Sequence, residues 1–238
     1  MPFPTLFPVV TRANRGAPGK TTKRAAARKI KILIADDHPV VRVGLRQILS
    51  AEPDLIVGGE AASSAEVLQL ARRERWDVVV LDLTMPGRGG LEALRDLKRE
   101  HPKLPVLVLS VHPEDQFAIR VLRAGASGYL TKESASDELV TAIRRSVAGG
   151  KYLSPALAEN LALDLDRGAD KASHARLSDR EYLVMTMIAS GKSVTDIARE
   201  LALSPNAIST YRARVLQKLN LRNTTEIIRY ALERQLVK

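Results

Sequence analysis

The feature that most constrains the fold is a fivefold alternation of apolar segments and helical periodicity between residues 30 and 150. Each apolar segment is short, rich in Val, Ile and Leu, and ends at polar or turn residues. Such segments predict strands that are buried on both faces. Their alternation with helices predicts an α/β fold, a parallel sheet covered by helices on both sides. The expected fold is flavodoxin-like, (βα)5, with strand order 2-1-3-4-5.

The repeats can be delimited from the residue pattern alone. The predicted strands are Ile30–Ala35, Leu55–Gly59, Val78–Asp82, Leu104–Leu109 and Gly128–Leu130. The predicted helices are Pro39–Ser50, Ser63–Glu74, one marked by Leu91, Leu94 and Leu97, Pro113–Ala124 and Asp137–Ala148. Ser63 and Glu66 form a capping signal, and Gly149-Gly150 ends the last helix.

Polar residues follow the predicted strands at the edge where open α/β sheets bind ligands. Asp36 and Asp37 follow the first strand, and Asp82 ends the third. Ser110 and Lys132 follow the fourth and fifth strands. In the order 2-1-3-4-5, strands 1 and 3 are neighbours, so the sequence predicts that these residues meet at one edge.

The chemistry of this set indicates phosphoryl transfer. Three close carboxylates repel one another and need a cation, or shifted protonation, to persist. An all-oxygen ligand set suits Mg²⁺. Lys132 can hold a phosphate oxygen, and Ser110 can donate a hydrogen bond. Asp82 would then attack an activated phosphorus and become an aspartyl phosphate. Each residue alone also has an ordinary structural explanation, as a turn, a helix cap or a solvated charge.

This part of the chain resembles the receiver domain of bacterial response regulators. The resemblance extends from about Ile30 to Gly150 and rests on Ile34-Ala35-Asp36-Asp37-His38-Pro39, Leu81-Asp82-Leu83-Thr84-Met85-Pro86-Gly87, Leu109-Ser110 and Gly128-Tyr129-Leu130-Thr131-Lys132. It implies that Asp82 is the phosphoacceptor and that a sensor histidine kinase is the phosphodonor.

The same resemblance implies roles for the other residues. Mg²⁺ would be held by Asp37, Asp82 and the Thr84 backbone carbonyl, with Asp36 acting through water. Ser110 would be the switch hydroxyl, Tyr129 the switch aromatic and Lys132 the phosphate partner. Two positions depart from the family pattern: Glu133 follows the lysine where proline is common, and branched Val111 follows the switch hydroxyl. The peptide geometry at Glu133 stays open, and Val111 suggests a long-lived phosphorylated state.

From Leu177 to the end the pattern is purely helical and predicts four helices. Ser178 and Glu181 form a capping box, and Ser193 caps a second helix. Ser204-Pro205 begins a third helix that extends to about Leu219. This segment resembles the LuxR-type helix-turn-helix domain of NarL/FixJ response regulators. The resemblance rests on Leu177-Ser178-Asp179-Arg180-Glu181, Ala189-Ser190-Gly191-Lys192-Ser193, Asp196-Ile197-Ala198 and Leu203-Ser204-Pro205-Asn206-Ala207-Ile208-Ser209-Thr210-Tyr211-Arg212.

The third helix of this segment has a core face and a free face. Ile208, Val215 and Leu219 share one stripe and are predicted to be buried. The opposite face would enter the major groove of DNA. Short side chains would approach base edges, and basic ones would meet phosphates. The predicted DNA-binding residues are Ser209, Thr210, Arg212, Ala213, Arg214 and Lys218.

The net charge of +10 belongs to the two ends of the chain. Residues 1–29 carry seven basic and no acidic side chains, and residues 177–238 carry ten basic and six acidic ones. We therefore expect a basic, disordered extension (1–29), a receiver (30–150), a linker with one short helix (151–176) and a DNA-binding domain (177–238). No cysteine is present, and no apolar run approaches the ~18 residues of a membrane helix. These features predict a cytoplasmic protein without a membrane partner.

Together, the two resemblances imply that the chain is a two-component response regulator. Phosphorylation of Asp82 would promote homodimer formation and sequence-specific binding to double-stranded DNA, thereby regulating transcription. The alternative is a DNA-binding regulator whose receiver acts independently of phosphorylation. No enzymatic activity is expected: a phosphatase of the haloacid dehalogenase type needs a second aspartate where Thr84 stands. A flavin-binding module is disfavoured because Asp36-Asp37 would repel phosphate.

Overall fold

A computed structural model of the chain describes residues 28–85, 89–112, 114–166, 173–201, 203–234 and 236–237. Its first part alternates strands and helices, and its second part is helical. Most of the predicted basic extension, residues 1–27, lies outside the described residues. Arg28 belongs with the folded part, since its Nη2 lies 2.8 Å from Asp77 Oδ1.

The elements follow one another in a simple order. The alternating part comprises β1 (Ile30–Ala35), α1 (Pro39–Ser50), β2 (Leu55–Ala61), α2 (Ser64–Arg73), β3 (Val78–Asp82), α3 (Gly90–Glu100), β4 (Val106–Ser110), α4 (Glu114–Arg123), β5 (Gly128–Thr131) and α5 (Ala135–Val147). The helical part comprises α6 (Pro155–Asp166), a short 3₁₀ helix (Ser173–Arg176), α7 (Asp179–Ala189), α8 (Val194–Glu200), α9 (Pro205–Leu219) and α10 (Thr224–Glu233).

The five strands form one parallel sheet in the order β2-β1-β3-β4-β5, which confirms the predicted topology. The register brings the carboxyl ends of the strands to one edge. Ala35 of β1 pairs with Leu81, Asp82 pairs with Leu109, and Ser110 pairs with Thr131. The residues that follow these strands therefore emerge side by side.

Each face of the sheet is covered by a separate set of helices. Ile32 and Ile34 of β1 join a core cluster with residues of α1 and α5. Leu33 and Ala35 join the cluster that includes α2 and α3. Full burial of a Leu or Ile side chain contributes about 1.5–3 kcal/mol. This two-sided burial explains why the central strands β3 and β4 contain four consecutive buried apolar residues instead of alternating ones.

Strands β2 and β4 differ most from their predicted bounds. Strand β4 begins at Val106, two residues later than predicted, because Pro105 has no N–H to donate to a neighbouring strand. Its carbonyl still accepts a hydrogen bond from the Val79 N–H at 3.0 Å. Strand β2 extends to Ala61, past the Gly58-Gly59 pair at which its pairing with β1 shifts register. Glycines weaken a strand, but here they accommodate the Trp76 ring.

The C-terminal helices begin at the predicted caps. Ser178 and Glu181 complete a capping box at α7, and Ser204 Oγ accepts a hydrogen bond from Ala207 N–H at 3.2 Å. Helix α7 is buried over Asp179–Ile188, polar residues included, because it packs against its own domain and also against the receiver. In the described part of the chain, no helix has the length and apolar character needed to cross a bilayer.

Candidate functional site

The acidic cluster forms at the carboxyl edge of the sheet, as the strand order predicts. Asp36 follows β1, and Asp82 is the last residue of β3; both are only 1% exposed. Lys132, which follows β5, extends its ammonium between them. Its Nζ lies 2.7 Å from Asp36 Oδ2 and 3.1 Å from Asp82 Oδ2. The cation that the clustered carboxylates require is thus partly supplied by the chain itself.

The segment after β3 holds the Asp82 carboxylate in one orientation. Thr84 N–H donates to Asp82 Oδ1 at 3.2 Å, and Thr84 Oγ1 donates to Asp82 Oδ2 at 2.9 Å. Helix α3 then begins directly beneath the strand end. A Cβ at Gly90 would lie 2.0 Å from the Asp82 carbonyl oxygen, so only glycine fits there. The start of α3 can thereby pack directly against the end of β3.

Burial and charge act in opposite directions on the titration of this pair. Burial raises the pKa of Asp82, and the neighbouring Asp36 carboxylate adds to this effect, while Lys132 and Thr84 oppose it. For Lys132, burial alone would lower the pKa, but the Asp82 and Asp36 carboxylates raise it overall. The ammonium therefore stays charged at neutral pH, and the cluster favours a second cation.

The donor set fits a divalent metal. Ligand atoms of Asp36, Asp37, His38 and Asp82 all lie within 4.8 Å of one another. Three of these residues offer carboxylate oxygens, the ligands that Mg²⁺ prefers, and Asp37 is partly open to solvent. The acidic cluster of the receiver is therefore a site that can bind a metal.

Ser110 and Tyr129 both hold the main chain of His112. The His112 N–H donates to Ser110 Oγ at 3.1 Å, and the buried Tyr129 hydroxyl donates to the His112 carbonyl at 2.7 Å. Ser110 lies one residue beyond Leu109, the partner of Asp82 across the sheet. Val111, between them, is 56% exposed. The predicted switch residues thus converge on one buried residue, His112, which the sequence pattern did not indicate.

Helix α9, the predicted DNA-recognition helix, has the expected buried face and free face. Ile208 and Val215 are fully buried, and Leu219 is nearly so. The predicted base-contacting and phosphate-contacting residues Ser209, Thr210, Ala213, Arg214 and Lys218 are exposed, and Arg212 is half-buried.

Two basic side chains of α9 have partners within the domain. Arg212 Nε donates to Thr224 Oγ1 at 2.9 Å. Lys218 Nζ donates to Glu181 Oε2 at 2.6 Å, and the Glu181 side chain is only 3% exposed. Burial opposes ionisation of Glu181, yet its bonds with Lys218 and Ser178 lower its pKa overall. Lys218 therefore has a structural role as the partner of Glu181, which the helical spacing alone did not indicate.

An interface between receiver and helical domain centres on Asp179, the first residue of α7. Its carboxylate lies 2.6 Å from Arg95 Nη1 of α3 and 2.6 Å from Arg120 Nε of α4. The Arg120 guanidinium lies over the Tyr182 ring, 4.9 Å from its centre, and Phe117 meets the same ring edge-on at 5.4 Å. The acidic partner comes from the basic domain, so net domain charges did not predict this contact.

Comparisons with known proteins agree with this architecture. Residues 32–144 match the family model of the response regulator receiver domain, and residues 175–231 match that of the bacterial regulatory proteins of the luxR family. The chain belongs to the NarL/FixJ-type two-component response regulators, with a receiver and a LuxR-type helix-turn-helix DNA-binding domain.

Similar proteins are regulators of the same construction. The chain is 41% identical to the response regulator GacA of Pseudomonas aeruginosa, over 87% of this chain and 98% of the relative. It is 37% identical to UvrY of Escherichia coli, over 85% of this chain and 94% of the relative. Among solved structures, RcsB of Salmonella enterica serovar Typhimurium bound to promoter rprA with phosphomimetic BeF3- matches with a TM-score of 0.57 and 26% identity, over 85% of this chain and 98% of that one.

Proposed function

We propose that Asp82 accepts a phosphoryl group from a sensor histidine kinase in a Mg²⁺-dependent reaction. The modification would promote dimerisation and sequence-specific DNA binding, and so regulate transcription. The observation that carries the proposal is the ammonium of Lys132 bridging Asp36 and Asp82 beside a metal-capable cluster. An ammonium so held is ready to pair with a phosphoryl oxygen on Asp82.

The chemistry assigned to the side chains is a simple displacement. A carboxylate oxygen of Asp82 forms a bond to phosphorus while the bond from phosphorus to the donor nitrogen breaks. The leaving imidazole keeps that electron pair and takes up a proton. Lys132 balances charge on the transferring oxygens. Bound Mg²⁺, held by Asp37, Asp82 and the Thr84 carbonyl with Asp36 through water, would supply further charge stabilisation to those oxygens.

The hydrogen bonds of His112 support a route by which phosphorylation would be sensed. A phosphoryl group on Asp82 offers new acceptor oxygens beside β4. Ser110 Oγ accepts from the His112 N–H and is one residue from the cross-sheet partner of Asp82. As the Ser110 hydroxyl turns to donate to the phosphoryl group, the His112 main chain shifts, and the Tyr129 hydroxyl that holds its carbonyl shifts with it.

This route leads toward the interface between the domains. The His112 ring packs on Phe117 with centroids 4.9 Å apart, and Phe117 contacts Tyr182 of α7. Movement at His112 would therefore loosen the contacts around Asp179 and free the DNA-binding domain. In dimers, two copies of α9 would read half-sites of matching symmetry, as expected for a helix-turn-helix regulator. The structures of RcsB with promoter DNA support a DNA partner for this chain.

The finer assignments belong to the same proposal. Residues 30–150 would form the receiver, 151–176 the linker and 177–238 the DNA-binding domain, and the protein would act in the cytoplasm. On α9, Ser209, Thr210 and Ala213 would lie against base edges, while Arg212, Arg214 and Lys218 would face phosphates.

The test compares the wild type with Asp82→Asn, using as the control Asp54→Asn, which removes a carboxylate that pairs with Arg144 just before β2. Each protein is incubated with a small phosphodonor, with and without Mg²⁺. Intact mass should show one added phosphoryl group on the wild type and the control, only with Mg²⁺, and none on Asp82→Asn. Equal phosphorylation of Asp82→Asn would contradict the assignment of the phosphoacceptor.

Light scattering and DNA binding then test the consequence. The phosphorylated wild type should show a larger dimer fraction and tighter binding to its cognate duplex. Phosphorylation without a change in either quantity would favour the alternative, a regulator whose receiver acts independently of phosphorylation.

A further inference from the structure

His38 occupies a position at the acidic cluster that neither helix capping nor core packing explains. It is the N-cap residue of α1, but its side chain makes no capping hydrogen bond. The side chain is 61% exposed, so burial does not fix it. Its ring instead points back toward the carboxylates: Nδ1 lies 3.0 Å from Asp37 Oδ1 and within hydrogen-bonding distance of Asp36 Oδ1, at 3.3 Å.

These separations are those of neighbouring ligands around a metal. An octahedral ion with bonds of about 2.1 Å sets adjacent ligand atoms about 3 Å apart. Asp37 Oδ1 is buried and accepts no hydrogen bond from the described residues, although the His38 nitrogen lies so close. The two atoms thus approach each other without hydrogen-bond geometry, as two lone pairs directed at a common ion would.

We propose that His38 Nδ1 is a metal ligand and makes the site select first-row transition ions over Mg²⁺. The inference rests on the proposed function, in which this cluster binds a divalent cation. Carboxylates and water suit Mg²⁺ and Mn²⁺, whereas an imidazole nitrogen favours the later ions of the series, such as Co²⁺. A ligand set of two carboxylates, one backbone carbonyl and one imidazole, with Asp36 acting through water, therefore raises affinity for Co²⁺ more than for Mg²⁺.

The competing explanation is a ring whose Nδ1–H merely donates a hydrogen bond to the carboxylates. In that case its removal would change the charge balance for every divalent ion alike. A direct bond to the metal, by contrast, alters the ratio of affinities. The ratio of Co²⁺ to Mg²⁺ affinity therefore distinguishes the two explanations.

The experiment titrates the full chain with Mg²⁺ and separately with Co²⁺ by calorimetry. The variants are His38→Ala, Asp37→Asn and, as a control at the far end of α3, His101→Ala. His38→Ala should lower the Co²⁺ affinity about 10-fold and change the Mg²⁺ affinity by less than about 2-fold. His101→Ala should behave as the wild type, and thermal melts verify that each variant folds.

Pulsed EPR of the Mn²⁺-loaded protein gives a second readout. The wild type should show coupling of the electron spin to a nitrogen nucleus, and His38→Ala should lose it. An unchanged Co²⁺-to-Mg²⁺ ratio together with absent nitrogen coupling in the wild type overturns the inference and leaves the proposed Mg²⁺ site intact. If neither ion binds the wild type, or Asp37→Asn binds both as tightly, the proposed metal site itself fails.

Discussion

The acidic cluster and the predicted DNA-recognition helix α9 differ in how firmly their charged groups are held. At the cluster, Asp36 and Asp82 are buried, Lys132 is partly buried, and all three are paired before any ligand arrives. On α9, most of the residues expected to touch DNA are exposed, although Arg212 and Lys218 have partners within the domain. The comparison teaches that a chemical site is defined by its burial and mutual geometry, whereas a nucleic-acid surface is completed only by its partner.

Removing Lys132 should produce the largest effect on stability. Lys132→Ala leaves two buried carboxylates without their cation, which costs about 3 kcal/mol. The pKa of Asp82, already raised by burial, should rise further, so the loss is fully present at neutral pH. It should shrink as the pH falls through the folded pKa of Asp82, because the protonated Asp82 carboxyl needs no cation.

Urea unfolding at several pH values measures this effect. Lys103→Ala, an exposed lysine next to β4, is the control and should change stability by less than about 0.5 kcal/mol. A deficit that does not depend on pH would mean that Lys132 stabilises the fold through packing, and the contrast between the two regions would lose its electrostatic basis.

A bulkier side chain on the free face of α9 should produce the next largest effect, and this effect should be limited to sequence-specific DNA binding. Ala213→Leu keeps a good helix former at an exposed position, so the domain should fold. The longer side chain would hold the helix out of the major groove and cost about 1–3 kcal/mol at the cognate site. Binding isotherms on cognate and scrambled duplexes measure the difference. Ala156→Leu on α6, also at an exposed alanine, should leave both affinities unchanged.

The same contrast explains what the sequence could predict. The strand order and the meeting of Asp36, Asp82 and Lys132 followed from buried runs and parallel topology, which local patterns specify strongly. The face of α9 followed from the spacing of Ile208 and Val215. These features depend on the spacing of apolar residues, which can be read directly from a single sequence.

Other contacts depend on how separate elements pack and have no local signal. The pairing of Lys218 with Glu181 joins two helices, and that of Asp179 with Arg95 and Arg120 joins two domains. In the sequence His112 looks like an ordinary loop residue, because only the tertiary fold brings the Tyr129 hydroxyl to its carbonyl. Such pairs are set by side-chain reach across interfaces, which composition and net charge do not encode.

Substituting two basic residues of α9 should change two different quantities, the salt dependence of DNA binding and the free energy of unfolding. Arg214 is exposed, so Arg214→Ala should lower the salt dependence of DNA binding by about one unit of slope. Lys218→Ala should lower the free energy of unfolding by about 1 kcal/mol, because the nearly buried Glu181 loses its partner.

A salt series of binding isotherms and urea unfolding of both variants supply the two readouts. Glu181→Gln with and without Lys218→Ala isolates the pairwise contribution. If Lys218→Ala lowers the salt slope as much as Arg214→Ala does, the ammonium must leave Glu181 for a DNA phosphate on binding. The sequence-based assignment of Lys218 as a phosphate contact would then hold alongside its structural role.

The smallest expected effect is a gain in stability at the acidic cluster itself. Burial raises the pKa of Asp82, so its ionised form destabilises the metal-free fold at neutral pH. Asp82→Asn removes that charge, and Lys132 keeps Asp36 as a partner. Without divalent metal, the variant should be about 0.5–1 kcal/mol more stable than the wild type at pH 7. The gain should vanish as the pH falls through the folded pKa of Asp82 and below its unfolded value, where both proteins are neutral at this position.

Mg²⁺ should reverse this order of stability. A ligand that binds only the folded state stabilises it in proportion to the logarithm of its saturation, by about 2.7 kcal/mol at a hundredfold excess over Kd. The wild type has the full carboxylate set and should gain more than Asp82→Asn, so their stabilities should cross as Mg²⁺ is added at pH 7. Asp54→Asn loses an ion pair with Arg144 just before β2, away from the cluster, and should gain as much stability from Mg²⁺ as the wild type. Parallel curves without a crossing would show that Asp82 contributes nothing to metal binding, and the buried charge would then have no binding energy to offset its cost.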